Sequence, residues 1–147
     1  MSYTVFLSGE IHSSWRNEII NAAREKGLGI EFSYPELEHD ASDNCGVEIL
    51  GAEDSNFWKD HKAAKINAMR IRKGIEEADI VVVRFGEKYK QWNAAFDAGY
   101  AAALGKSLII NHPEEFTHAL KEVNAAANAT AHNNQQVIEL LTYLCRK

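Results

Sequence analysis

The 147-residue chain has little that would bind a metal, a polymer or a membrane. Its two cysteines, Cys45 and Cys145, lie far apart and form no C-x-x-C pair, so no zinc-type ligand set is expected and both thiols should be free. Cations are outnumbered: 16 Lys and Arg stand against 21 Asp and Glu, a net charge of −5. That balance gives no general attraction to phosphate backbones or anionic lipid, so neither a nucleic-acid polymer nor a membrane is an expected partner. No apolar run approaches the roughly 20 residues a membrane helix needs. The opening MSYTVFLSGEIHSSWR lacks the basic and long apolar regions of a signal peptide, which makes a cytoplasmic protein the expectation. Also absent are G-x-x-x-x-G-K-[ST], G-x-G-x-x-G, internal repeats, low-complexity tracts and linkers. No cofactor is expected.

The composition that remains is that of an ordinary globular domain, with 46% apolar and 25% charged residues. One domain spanning 1–147 is the simplest reading. Apolar patterning alternates in type along it. Tyr3–Leu7 is β-rich and stops at Ser8-Gly9, and residues 14–26 carry apolar groups at helical spacing up to Gly27. A second short strand is expected at Ile30–Tyr34 before Pro35. Residues 36–56 (ELEHDASDNCGVEILGAEDSN) are acidic and read as a long loop, followed by an amphipathic helix from Trp58 to Ala78.

Asp79–Phe85 (DIVVVRF) has the continuous β-branched character of a central parallel strand. A helix over 91–104, a strand at Ser107–Asn111 and a short helix from Pro113 to Val123 follow. The Ala-rich stretch 124–132 is ambiguous between helix and strand, and a last helix is expected over 135–145. Such alternation implies right-handed crossovers and a parallel sheet covered on both faces.

In an open parallel sheet, ligands bind beyond the carboxyl ends of the strands, where strand order reverses. The residues expected there are Ser8, Gly9, His12, Ser13, Ser14, Arg16, Arg84, Tyr89, Gln91, Trp92 and Asn93. The loop SGEIHSSWR, with small residues, hydroxyls and a cation at a helix start, suits an anion or polar ligand; it also suits a plain capped helix. Trp92, directly after the central strand, is the aromatic best placed to stack on a base, although aromatics at helix starts are often core anchors. Glu36, Glu38, His39, Asp40, Asp43, Asp60 and His61 show no metal spacing, and no metal is expected. Asp97 is the one acid in the alanine-rich segment 92–105. It reads either as a structural carboxylate or as a partly desolvated nucleophile or acceptor, with Asn93, Tyr100, Ala101 and Leu104 beside it on the helical wheel.

ADIVVV at 78–83, followed by FDAGYA at 96–101 and LGK at 104–106, resembles nucleoside 2-deoxyribosyltransferases and related nucleotide N-glycosidases. FLSGEI at 6–11 resembles their first strand and ligand-binding turn. VRFGEKYKQWNAAFDAGYAAALGK and FWKDHK resemble the YtoQ-type branch. The resemblance covers essentially the whole chain. It implies a flavodoxin-like three-layer α/β sandwich with a five-stranded parallel sheet in order 2-1-3-4-5, and so makes 124–131 the fifth strand. It also implies transfer or hydrolysis at the C1′–N bond of a nucleoside or nucleotide, through a carboxylate nucleophile that is a glutamate in the family and is matched here by Asp97.

Carried over onto this chain, Phe6, Ser8 and Gly9 belong to the substrate-binding turn. Arg16 and His12 would hold the sugar or a 5′-phosphate, Trp92 would stack on the base, and Arg84 or Asn93 would orient Asp97. The family's orienting tyrosine corresponds to Phe6, and its helper acids correspond to Gln91 and Ile71. Family members are oligomers, so Val47, Ile49, Leu50, Phe57 and Trp58 are expected at an interface between copies. The alternative is a binding module that keeps the nucleotide or sugar pocket without the chemistry.

Overall fold

The computed structural model describes residues 2–146. Strands β1 (Thr4–Gly9), β2 (Glu31–Ser33), β3 (Ile80–Arg84), β4 (Ser107–Asn111) and β5 (Ala129–Ala131) form one parallel sheet in the order β2-β1-β3-β4-β5. Helices α1 (Trp15–Glu25) and α6 (Asn134–Leu144) cover one face. On the other lie α3 (Asn56–Glu77), α4 (Trp92–Ala103) and α5 (Lys121–Ala126), with α2 (His39–Leu50) packed on α3. The fold is the flavodoxin-like α/β sandwich expected.

Period-two alternation separates two cores across the sheet. Val5, Leu7, Ile80, Val82 and Ile109 pack toward Trp15, Ile19, Val137 and Leu141. Phe6, Val81, Val83, Leu108 and Ile110 pack toward Ile75, Ala94, Ala98 and Ala101. The three alanines recur along one stripe of α4, and their small side chains let that helix lie close on the sheet.

Three expectations need correction. Residues 39–50, read as loop, are a helix. Their intrinsic propensity is weak, but Gly46 sits where a Cβ would be 3.0 Å from the Ala63 backbone nitrogen, so close packing on α3 sustains the turns. The helix expected from Pro113 to Val123 is broken: a 3-10 turn at Glu114–Phe116 comes first, and α5 begins only at Lys121. The fifth strand is three residues long, and 124–126 finish α5. Asn128 Oδ1 accepts the Leu108 amide at 2.9 Å just before that strand, and so sets where pairing starts.

Candidate active site

Because β1 alternates, Ser8 points to the same side as Phe6, toward α4, at the carboxyl end of the strand. There it is fully buried, and its Oγ donates to Asp97 Oδ2 at 2.6 Å. Asp97 lies between Ala94, Ala98 and Ala101, which face the sheet, and the outer side of α4. It is half-buried, and Oδ1 has no hydrogen-bond partner among the described residues. Burial pushes its carboxyl pKa above the ordinary aspartate value, and the Ser8 hydroxyl, which favours the ionised form, works against that rise.

Asp97 opens into a cavity of about 610 Å³ between α2, α3 and α4. Of the four wheel neighbours, Asn93 and Tyr100, one turn to either side, line it with Asp97, whereas Ala101 packs toward the sheet and Leu104 is not part of the cavity wall. Asp43 comes from α2, and Asp60, Asn67 and Arg72 come from α3. Phe96, 68% exposed, supplies an aromatic wall. The volume suits a small polar organic ligand. Asp43, Asp60, Asn67, Arg72 and Phe96 were not anticipated: α2 was read as loop, and the helical wheel of α4 does not show which way α3 faces it.

Phe6 is core rather than contact surface: buried, it packs where a Cβ on Gly74 would collide with its ring. Gly9 has φ +104°, and a side chain there would strike the Arg84 carbonyl, so only glycine lets the β1 turn run against β3. The Glu10 amide donates to that carbonyl at 3.0 Å. The Glu10 carboxylate, nearly enclosed, accepts from the His12 amide and from Ser13 Oγ, the latter at 2.5 Å.

Arg16, expected to hold a sugar or phosphate, has its guanidinium turned inward. It is 4% exposed, and its guanidinium donates to the carbonyls of Leu7 (3.0 Å), Glu10 (2.5 Å) and Gly9 (3.1 Å). Burial lowers its pKa to about 10 against the opposing pull of Glu10. It is a brace for the turn, since three carbonyls at a strand end need donors.

Arg84 continues the side taken by Val82, toward α1 and α6. It lies 3.6 Å from Glu10 and 3.7 Å from Glu87, so it does not orient Asp97. His12 is exposed, its ring edge-on to Tyr89 at 4.6 Å and 6.3 Å from His39, which in turn pairs with Asp43 at 3.2 Å. Trp92 does not share the Asp97 cavity. It is 76% exposed and lines a second one, of about 620 Å³, on the other side of the first turn of α4. Among the described residues no group of three or more His, Cys, Asp or Glu converges as a metal site, and no helix is long and apolar enough to cross a membrane.

The uncharacterized protein YtoQ of Bacillus subtilis (strain 168) is 48% identical over 144 residues, 98% of this chain and 97% of that one. Three solved structures share the fold. A conserved protein from Enterococcus faecalis V583 has a TM-score of 0.65 at 11% identity, covering 98% of this chain and 99% of its own. The 2-deoxyribosyltransferase of Bacillus psychrosaccharolyticus has 0.56 at 17% identity, with 92% and 90% covered. The CMP N-glycosidase BcmB of Clostridium botulinum has 0.55 at 14%, with 95% and 98% covered. A sequence model of the family matches residues 6–145, and the chain therefore belongs to the nucleoside 2-deoxyribosyltransferase YtoQ family.

Proposed function

We propose that this protein cleaves or transfers at the N-glycosidic bond of a nucleoside or nucleotide, with Asp97 as the nucleophile. The observation that carries the reading is the Ser8–Asp97 pair at the wall of the cavity: a desolvated carboxylate with one oxygen held and the other free. Family membership, and the nucleoside chemistry named for two of the structural relatives, support the same reaction class.

In this reading Oδ1 attacks C1′ as the C1′–N bond breaks. The bonding pair leaves with the base, which takes a proton from water in the open cavity. Water or an acceptor base then attacks C1′ and gives its proton to the hydroxide left by the first step, while the ester to Asp97 breaks and the carboxylate is restored. The transition state is oxocarbenium-like, and a carboxylate close to C1′ stabilises its positive charge.

Aspartate is one methylene shorter than the family's glutamate, a difference of about 1 Å, and misplacement on that scale can cost around a hundredfold in rate. Ser8 offsets the loss of the tyrosine hydroxyl at Phe6. It enters from the same face of β1, two residues on, and holds the carboxylate by a hydrogen bond to its charged form. Phe96 takes the base-stacking role first assigned to Trp92, and Asn93 and Asn67 offer hydrogen bonds to the sugar.

The test is incubation with deoxynucleosides and deoxynucleotides, with and without a free acceptor base, followed by chromatography. Released or exchanged base that disappears in Asp97→Ala supports the reading; no release, or release unchanged in that variant, sinks it. The binding-module alternative rests on Ile71, which lines the cavity where the family has a helper acid. It predicts a ligand-dependent rise in melting temperature without turnover. Assembly belongs to the same proposal. Ile49, Leu50, Phe57 and Trp58 are exposed where α2 ends and α3 begins, and light scattering should show more than one copy per particle.

A further inference from the structure

We propose that the second cavity, on the far side of the first turn of α4, is a separate binding site for a planar aromatic ring carrying one anionic group. The inference stands apart from the Asp97 reading, because no residue lines both cavities. Trp92 and Ala95, three apart on α4, face this cavity, whereas Asn93, Phe96, Asp97 and Tyr100 face the other.

Its floor is apolar, built from Phe85, Ala95, Phe116 and Leu120. At its mouth Tyr89 and Trp92 remain 56% and 76% exposed, large ring faces that water covers poorly and a flat ligand covers well. The charge there runs against that of the molecule. In a chain of net charge −5, the mouth carries Lys88 and Lys90, with ammonium groups 5.5 Å from the Tyr89 ring and 5.8 Å from the Trp92 ring. The one acid lining the cavity, Glu87, lies 3.7 Å from the Arg84 guanidinium and is thereby partly neutralised. A neutral aromatic would leave both ammonium groups without an anion. A strongly polar anion would leave the apolar floor without contact. An aromatic acid satisfies both.

The experiment titrates the full chain with 2-naphthoate and with its neutral analogue 2-naphthamide. Binding is followed by the three tryptophan indole N–H signals in NMR and by the ligand's own proton signals. The expected result is saturable naphthoate binding that shifts the Trp92 signal and leaves that of buried Trp15 in place. Naphthamide should bind about fivefold more weakly, and the Lys88→Gln, Lys90→Gln double variant should erase that difference. Trp92→Ala should weaken naphthoate about tenfold, read on the ligand signals. Ala119→Trp, an exposed lining position whose new side chain fills the space, should remove binding, while Asp97→Asn should not change it. No binding, equal affinity for acid and amide, binding that survives Ala119→Trp, or loss in Asp97→Asn each overturns the proposal.

Discussion

Two cavities of nearly equal size, about 610 and 620 Å³, flank the first turns of α4, and their chemistry is opposite. One is walled by Asp43, Asp60 and Asp97 with a single arginine; the other has an apolar floor, two exposed aromatic rings and two lysines. The segregation comes from helix geometry, because neighbouring positions such as Trp92 and Asn93 are turned roughly 100° apart. Volume therefore does not identify the reactive side. The proposed reactive side is set apart by a carboxylate raised in pKa by burial and held by a buried hydroxyl, a combination found only on the Asp97 side among the described residues.

The largest expected effect breaks the comparison on the acidic side. Asp97→Asn should lower base release by at least about a thousandfold, measured by chromatography, because it removes the proposed nucleophile. The same substitution should not destabilise the protein at neutral pH. A carboxyl whose folded pKa lies above its unfolded value binds more protons in the folded state between those two values, so wild-type stability falls there as pH rises. Melting curves should show wild type losing ground to Asp97→Asn from about pH 4 upward.

Next comes Gly9→Ala, which disturbs the turn that carries Ser8 into place. With φ +104° and the Arg84 carbonyl in the way, a cost of about 3 kcal/mol is expected, a drop in Tm of roughly 10 °C. Ser8→Ala should be milder, about 10- to 100-fold in rate. Its signature is the pH profile. Removing the donation that favours ionised Asp97 moves the carboxyl further up, so the acid limb of kcat/KM should shift to higher pH than in wild type. An unshifted limb would mean that Ser8 does not act through Asp97. The smallest expected effect comes from the basic side: Trp92→Ala should leave base release within about twofold, since its cavity does not contain Asp97, the proposed nucleophile. A large loss there would merge the two cavities into one site.

Much of the fold is legible because its signals are local. DIVVVRF reads as a buried parallel strand through β-branching alone, and Gly27 and Gly105 stop their helices by positive φ. The 39–50 helix is not legible, since its polar, glycine-containing stretch turns helical only against α3. Nor is the break after Pro113, where a 3-10 turn at Glu114–Phe116 precedes the start of α5 at Lys121. The candidate site divides in the same way. Asp97, Asn93 and Tyr100 follow from helical spacing, whereas Arg16 and Arg84 stand at rim positions with side chains claimed by carbonyls and by Glu10.

The sequence by itself determined the alternation of strands and helices outside residues 36–56 and 113–131, the parallel sheet and the place of a lone acid within α4, because periodicity and β-branching act over a few residues. Only the tertiary structure decided that Ser8, 89 residues away, donates its hydroxyl to Asp97, and that Trp92 lines a different cavity from Asp97. Both depend on how strand register and helix rotation meet across the sheet. Those are set by packing the alanine stripe of α4 onto β1, β3 and β4, and not by any neighbour along the chain.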